Sequence, residues 1–177
     1  TATVAATARL EISGNITGVA KDMWLPANFG TLRLSGNNSG WSGGLNILRG
    51  TIYARHANGF GTGPISAEFG RLLFEAPNGT TWTLPVTNTI AVDGTGTSAV
   101  LEFQVNNNHG APLASDPFKV DATGPVTLGG SGATPSLRIY EADAGSVAAF
   151  SGGIVLQADS IIHTSSGITA YTAPTIV

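Results

Sequence analysis

The residues whose types could do chemistry are three histidines, a set of aspartates, two glycine-rich runs and three tryptophans. His56, His109 and His163 lie far apart, and no two share the spacing of a metal-ligand pair. They read as solvated or turn histidines, His109 in the loop sequence NNNHGAP. Asp93, Asp116, Asp121, Asp143 and Asp159 could meet only if the fold stacked distant segments. Most of them sit among turn formers, as in VDGTG, SDP, DATG and EADAG. An aspartate in a turn usually bonds its own backbone, so no catalytic carboxylate pair is assigned. VDGTGT offers oxygen atoms beside glycine, but the Gly-Gly-x-Gly-x-Asp calcium nonapeptide is absent. NGFGTGP (58–64) lacks the Lys-Ser/Thr and the following helix of a phosphate loop. Trp24, Trp41 and Trp82 are the candidate glycan contacts, provided their rings are open to solvent. The chain is therefore expected to be no enzyme, with no catalytic, metal or cofactor residue and no cofactor.

Composition narrows the partners. Only 11% of the 177 residues are charged, against about 25% in an average soluble protein. Eight basic and 11 acidic side chains give a net charge of −3, with no basic run, so nucleic acid is not an expected partner. Apolar residues make up 42%, too many for a disordered chain, and 24 glycines occur without a collagen triplet. Cysteine is absent, which removes disulfides and thiolate chemistry. No apolar run approaches the ~18 residues of a membrane helix, so no membrane insertion is expected. With no initiator Met, residue 1 is expected to be a mature N-terminus or a cut within a longer polypeptide.

The elements that must carry these residues are strands. TATVAATARLEIS (1–13) alternates, with Ala2, Val4, Ala6, Ala8, Leu10 and Ile12 on one face. It is the candidate assembly strand, able to pair with a neighbouring subunit. Short β-type clusters follow along the chain, nearly all bounded by Gly, Asn, Asp, Pro or Ser. No ten-residue stretch has a helical period. LEISGNITG (10–18) matches LRLSGNNSG (32–40), and Gly30-Thr31-Leu32, Gly50-Thr51-Ile52 and Gly70-Arg71-Leu72 recur. Leu10, Leu32, Ile52 and Leu72 thus mark one apolar position every 20–22 residues. That period suits a parallel β-solenoid of stacked 20–22-residue coils, with SGNNSGWSGG as the corner of one coil. The alternative is an antiparallel β-sandwich, whose strands also come at regular intervals. The chain reads as one β-rich domain over 1–177. It has clear repeats in 1–76, a looser β-rich region in 77–177 and a loop insertion near 105–118.

GTLRLSGNNSGWSGGLNILRGTIYARHANGFGTGPI (30–65) resembles the autotransporter-associated β-strand repeat of bacterial passenger domains. Gly30, Thr31, Leu32, Leu34, Ser35, Gly36, Asn38, Gly43, Gly44, Ile47, Gly50 and Thr51 occupy the motif positions, and Gly61 and Gly63 fit its end. Trp41 departs from the usual Tyr and Thr, and the C-terminal third, with Pro112, Pro117, Pro125 and Pro135, carries no clean copy. The resemblance implies a right-handed parallel β-helix and an extracellular or cell-surface stalk or adhesive fibre. The expected partners are copies of the chain itself, in an oligomer or filament, and surface glycans. Two alternative functions are a virion component (a phage decoration or tail protein) and a donor-strand pilus subunit; a carbohydrate-binding β-helix is a further one.

Overall fold

The computed structural model describes residues 8–27, 30–75, 83–93, 98–106, 118–129, 134–141, 146–157 and 160–164. Over these residues the chain is all β, with sixteen strands and no helix. The first seven are β1 (Arg9–Ile12), β2 (Met23–Leu25), β3 (Thr31–Leu34), β4 (Leu45–Ile47), β5 (Thr51–Ala54), β6 (Ile65–Ala67) and β7 (Phe69–Glu75). Then come β8 (Thr83–Val86), β9 (Ile90–Asp93), β10 (Ser98–Asn106), β11 (Phe118–Ala122) and β12 (Val126–Gly129). The last four are β13 (Thr134–Glu141), β14 (Ser146–Ala149), β15 (Ile154–Leu156) and β16 (Ile161–Thr164).

Three sheets result. Seven strands pair in the order β1-β3-β5-β7-β10-β13-β16, six as β15-β12-β9-β6-β4-β2, and three as β14-β11-β8. Every pairing among these strands is parallel. The antiparallel sandwich is set aside on that ground. Up to β7 the chain alternates between the seven- and six-stranded sheets, and from β8 onward each circuit adds a strand of the three-stranded sheet. Parallel strands need a crossover, and here the crossover is itself a strand of another sheet. Such parallel sheets are compatible with a β-solenoid.

The pairing puts like on like. Leu10 faces Leu32, Leu32 faces Ile52, Ile52 faces Leu72, and Leu72 faces Phe103. Alternation then decides the core: in β3, Leu32 and Leu34 are buried while Thr31 and Arg33 look outward. One apolar cluster runs from Leu25 to Ile154. Through it passes an aromatic file. Phe60 meets Phe74 at 5.3 Å, Phe74 meets Phe103 at 4.8 Å, and Phe103 meets Phe150 at 5.0 Å. Each such pair adds about 0.5–1.5 kcal/mol beyond its buried area.

The corners are where a polar chain must turn inside this stack. Asn38, fully buried, accepts a hydrogen bond from the Ile16 backbone N–H at 2.7 Å and donates to the Gly59 carbonyl at 2.7 Å. One side chain thus ties three successive corners. Asn88, also buried, donates to the carbonyls of a neighbouring corner, Gly63 at 2.6 Å and Gly61 at 3.3 Å. Glycine is required where these corners touch: a β-carbon on Gly43 would collide with the Lys21 carbonyl, and one on Gly63 with the Gly43 carbonyl. Residues 107–117 of the expected loop insertion lie outside the described residues, while Val105 and Asn106 belong to β10 and Phe118 opens β11.

Replacing Asn38 with Leu orphans the Ile16 N–H and the Gly59 carbonyl, at roughly 1–3 kcal/mol for each group. Urea unfolding should show a clearly lower midpoint for Asn38→Leu. Asn46→Ala, on the outward face, should stay within about 0.5 kcal/mol of the parent. Equal midpoints for the parent and Asn38→Leu would show that the amide does not hold the corners together.

Candidate functional site

Charge is distributed unevenly over the outer surface. The outward row of the six-stranded sheet reads Trp24, Asn46, Ser66, Ala91, Thr127, Val155, with no charged member. The seven-stranded sheet carries Arg9, Glu11, Arg33, Arg71, Glu75, Glu102, Arg138 and His163 on its strands, and Arg55 directly follows β5. It is the candidate functional face.

Two ion-pair clusters form there because the register sets unlike charges side by side. In the first, Arg33 lies opposite Glu11, and its guanidinium reaches Glu11 at 3.8 Å and Glu75 at 3.2 Å. Arg55 Nε donates to Glu75 Oε2 at 2.8 Å. Arg9 and Arg33 lie over the Tyr53 ring, 5.8 and 5.5 Å from its centroid. The Glu75 side chain is only 8% exposed, and two arginines compensate its lost hydration. In the second cluster Glu102 is flanked by Arg71 on one strand and Arg138 on the other. Arg71 Nε donates to Glu102 Oε2 at 2.6 Å, and the Arg138 guanidinium stands 3.6 Å from Oε1. His163 is the next member of the same row.

Beside the second cluster runs a shallow groove of about 470 Å³. Its two walls are adjacent outward rows, with the backbone of Gly50 and Gly70 between them. Phe69 and Val100, opposite each other on β7 and β10, form the apolar wall, and Arg71, Glu102 and Arg138 form the charged one. Arg49 closes one end, its guanidinium 5.4 Å from the Phe69 ring centroid. A second depression of about 250 Å³ continues past Arg138 to Tyr140 and His163.

Of the residues singled out from sequence, His163 lines the second depression and the others fall elsewhere. Asp93 ends β9 in the six-stranded sheet and Asp121 lies on β11 in the three-stranded sheet, so these two do not share a face. Asp116, Asp143, Asp159 and His109 lie outside the described residues. His56 is a turn residue, its Nδ1 accepting from the Asn58 N–H at 3.1 Å. Among the described residues no three of His, Asp and Glu gather as a metal site would need. The NGFGTGP run is a corner: Phe60 is buried, and the Gly61 and Gly63 carbonyls accept from Asn88. Trp41 is 2% exposed and its indole N–H donates to the Lys21 carbonyl at 2.7 Å, so its ring cannot stack on a sugar. Trp24 is 62% exposed on β2, and Trp82 lies outside the described residues. Of the assembly strand, Ala2, Val4 and Ala6 lie outside the described residues, while Leu10 and Ile12 pack partly buried against the core from β1. The arginine rows went unrecognised in the sequence. Their signal was present in Gly70-Arg71-Leu72 and in Leu137-Arg138-Ile139, each a charge flanked by core-facing positions.

Two predictions follow from the charges. Glu75→Gln leaves Arg33 and Arg55 without their shared counter-charge and should destabilise the fold by roughly 1.5–3 kcal/mol, read by denaturant unfolding. The second concerns Asp121. Burial pushes its carboxyl up, but hydrogen bonds from the Ser151 backbone N–H (3.0 Å) and hydroxyl, with the Lys119 ammonium at 3.5 Å, outweigh this and hold it below the ordinary aspartate value. A carboxylate held low stabilises the native state above its unfolded value and loses that contribution as the pH falls through the native one. The stability gap between the parent and Asp121→Asn should therefore narrow below about pH 4, in thermal melts taken across the acid range. A gap constant with pH would remove these hydrogen bonds from the acid response.

Compared with family models, with curated proteins and with solved structures, the chain matches none. The resemblance of residues 30–65 to the autotransporter-associated repeat rests on those residues alone.

Proposed function

We propose that this chain is a non-enzymatic structural segment of a cell-surface or extracellular fibre, folded as a right-handed parallel β-helix whose N-terminal coils are 20–22 residues long. Its task is mechanical and adhesive. The observation that carries the reading is the uninterrupted parallel stack of the seven-stranded sheet from β1 to β16. Seven strands at the usual parallel spacing make a rod roughly 29 Å between its first and last strands. Such a stack resists bending because every circuit is hydrogen-bonded to the next through its strands.

Assembly of copies through strand stacking is part of the reading. β1 pairs with β3 on one side, and among the described residues no strand covers its other side. The Thr31 N–H donates to the Ala8 carbonyl and the Ser35 N–H to the Ile12 carbonyl. Alternation along the strand therefore turns the Arg9 and Glu11 backbone groups toward the uncovered side. An uncovered strand edge is a template for another strand. The same pairing favours stacking over donor-strand exchange, since β1 is already a member of its own chain's parallel sheet.

Sedimentation over a range of concentrations, with electron microscopy and fibre diffraction of the product, tests this. Rods with a ~4.8 Å spacing along the long axis are the expected result. Glu11→Pro removes a backbone donor from the uncovered side and should leave a folded monomer. A parent chain that stays monomeric at high concentration, or a Glu11→Pro variant that assembles as well as the parent, would overturn stacking through β1.

A further inference from the structure

We propose that the groove between Phe69 and Arg138 binds a polysaccharide built of carboxylate-bearing sugars, of the uronate class. This goes beyond the scaffold reading and does not depend on it, because the groove belongs to a single chain.

Three properties of the groove select the ligand. The first is charge. The groove is lined by Arg49, Arg71 and Arg138 against one carboxylate, Glu102, in a protein whose net charge is −3. Glu102 engages Arg71 and Arg138, whereas Arg49 makes no ion pair among the described residues. The local field is cationic, and guanidinium groups pair with carboxylates through two parallel hydrogen bonds.

The second property is the division of the walls. Phe69 and Val100 are apolar, while the facing wall is ionic. A bare inorganic anion would gain nothing from the apolar wall. A pyranose ring bearing a carboxylate uses both walls. Its C–H face lies against Phe69 and Val100, its carboxylate meets the guanidiniums, and its hydroxyls donate to Glu102.

The third property is length. The groove is open along the stacking direction and continues through the shared Arg138 into the depression at Tyr140 and His163. Arg71 and Arg138 lie two strands apart in one row, roughly 9.6 Å at the usual spacing. Cationic groups repeated along an open track suit a polymer with charge on successive units better than a small enclosed molecule.

Calorimetric titration of the Glu11→Pro chain, whose groove is intact, with polygalacturonate tests the assignment, with its methyl-esterified form and dextran sulfate titrated alongside. Polygalacturonate should bind, the esterified polymer should bind at least tenfold more weakly, and raised salt should weaken the interaction. Arg49→Gln and Arg138→Gln, each with an unchanged thermal midpoint, should each lose about tenfold in affinity. Lys21→Gln, a cation outside the groove, should lose nothing. Absence of binding, equal binding of dextran sulfate, or an equal loss in Lys21→Gln would overturn the proposal. The last two outcomes would reduce the groove to a general attraction for polyanions.

Discussion

Parallel pairing in register is the constraint from which the rest of this structure follows. It places each residue beside one particular residue of the next circuit, at the distance of neighbouring strands. An inward position must therefore be apolar in every circuit, or the core is broken along its whole length. The row Leu10, Leu32, Ile52, Leu72, Phe103 meets that demand. An outward position faces the opposite problem, since like charges stacked at strand spacing repel. The row Arg71, Glu102, Arg138 alternates in sign and avoids it. In the row Glu11, Arg33, Tyr53 the arginine has a carboxylate on one side and an aromatic ring on the other.

The same constraint governs the corners. Stacked turns bring backbone against backbone, leaving no room for side chains at Gly43 and Gly63 and exposing N–H and carbonyl groups that the sheets do not use. A buried unpaired backbone group costs about as much as a lost hydrogen bond. Asn38 and Asn88 supply the missing partners from side chains that carry both a donor and an acceptor. Pairs with more open arginines, such as Arg138 with Glu102, contribute little by comparison, since surface ion pairs are worth about 0–1 kcal/mol. Glu75 differs because it is buried and shared.

Much of the N-terminal half was legible in the sequence because separation and register coincide there. Asn38 bonds Ile16 across 22 residues, and Arg55 bonds Glu75 across 20, so the period itself brings partners together. After β7 this rule lapses. Arg71 and Glu102 are 31 residues apart, because that circuit includes β8 in the three-stranded sheet. No fixed period could align the groove's two walls, and Phe69, Val100 and Arg138 looked unrelated. The burial of Trp41 is hidden in the sequence for a local reason. Flanked by Gly40, Ser42 and Gly43, it has the surroundings of an exposed loop residue. The small neighbours are instead what allow its ring to close over the corner, where a β-carbon on Gly61 would stand 2.8 Å from the indole.

The groove and the rod draw on the same geometry without competing for it. Inward rows hold the stack together, so outward rows of the seven-stranded sheet are free to carry charge as long as neighbours balance. Glu102 balances Arg71 and Arg138, yet Arg49 at the mouth is balanced by none of the described residues. An excess cation beside the half-buried Phe69 and Val100 does nothing for the core. Among the described residues its guanidinium lies over the Phe69 ring, 5.4 Å from the centroid, and its charge faces the groove without a carboxylate partner. The six-stranded sheet, stacked by the same rules but faced with Asn46, Ser66, Ala91 and Thr127, shows that parallel stacking itself does not require charge. Arg49 and Arg138, unlike Arg33 and Arg55, are thus separable from the core packing, as the proposed binding face requires.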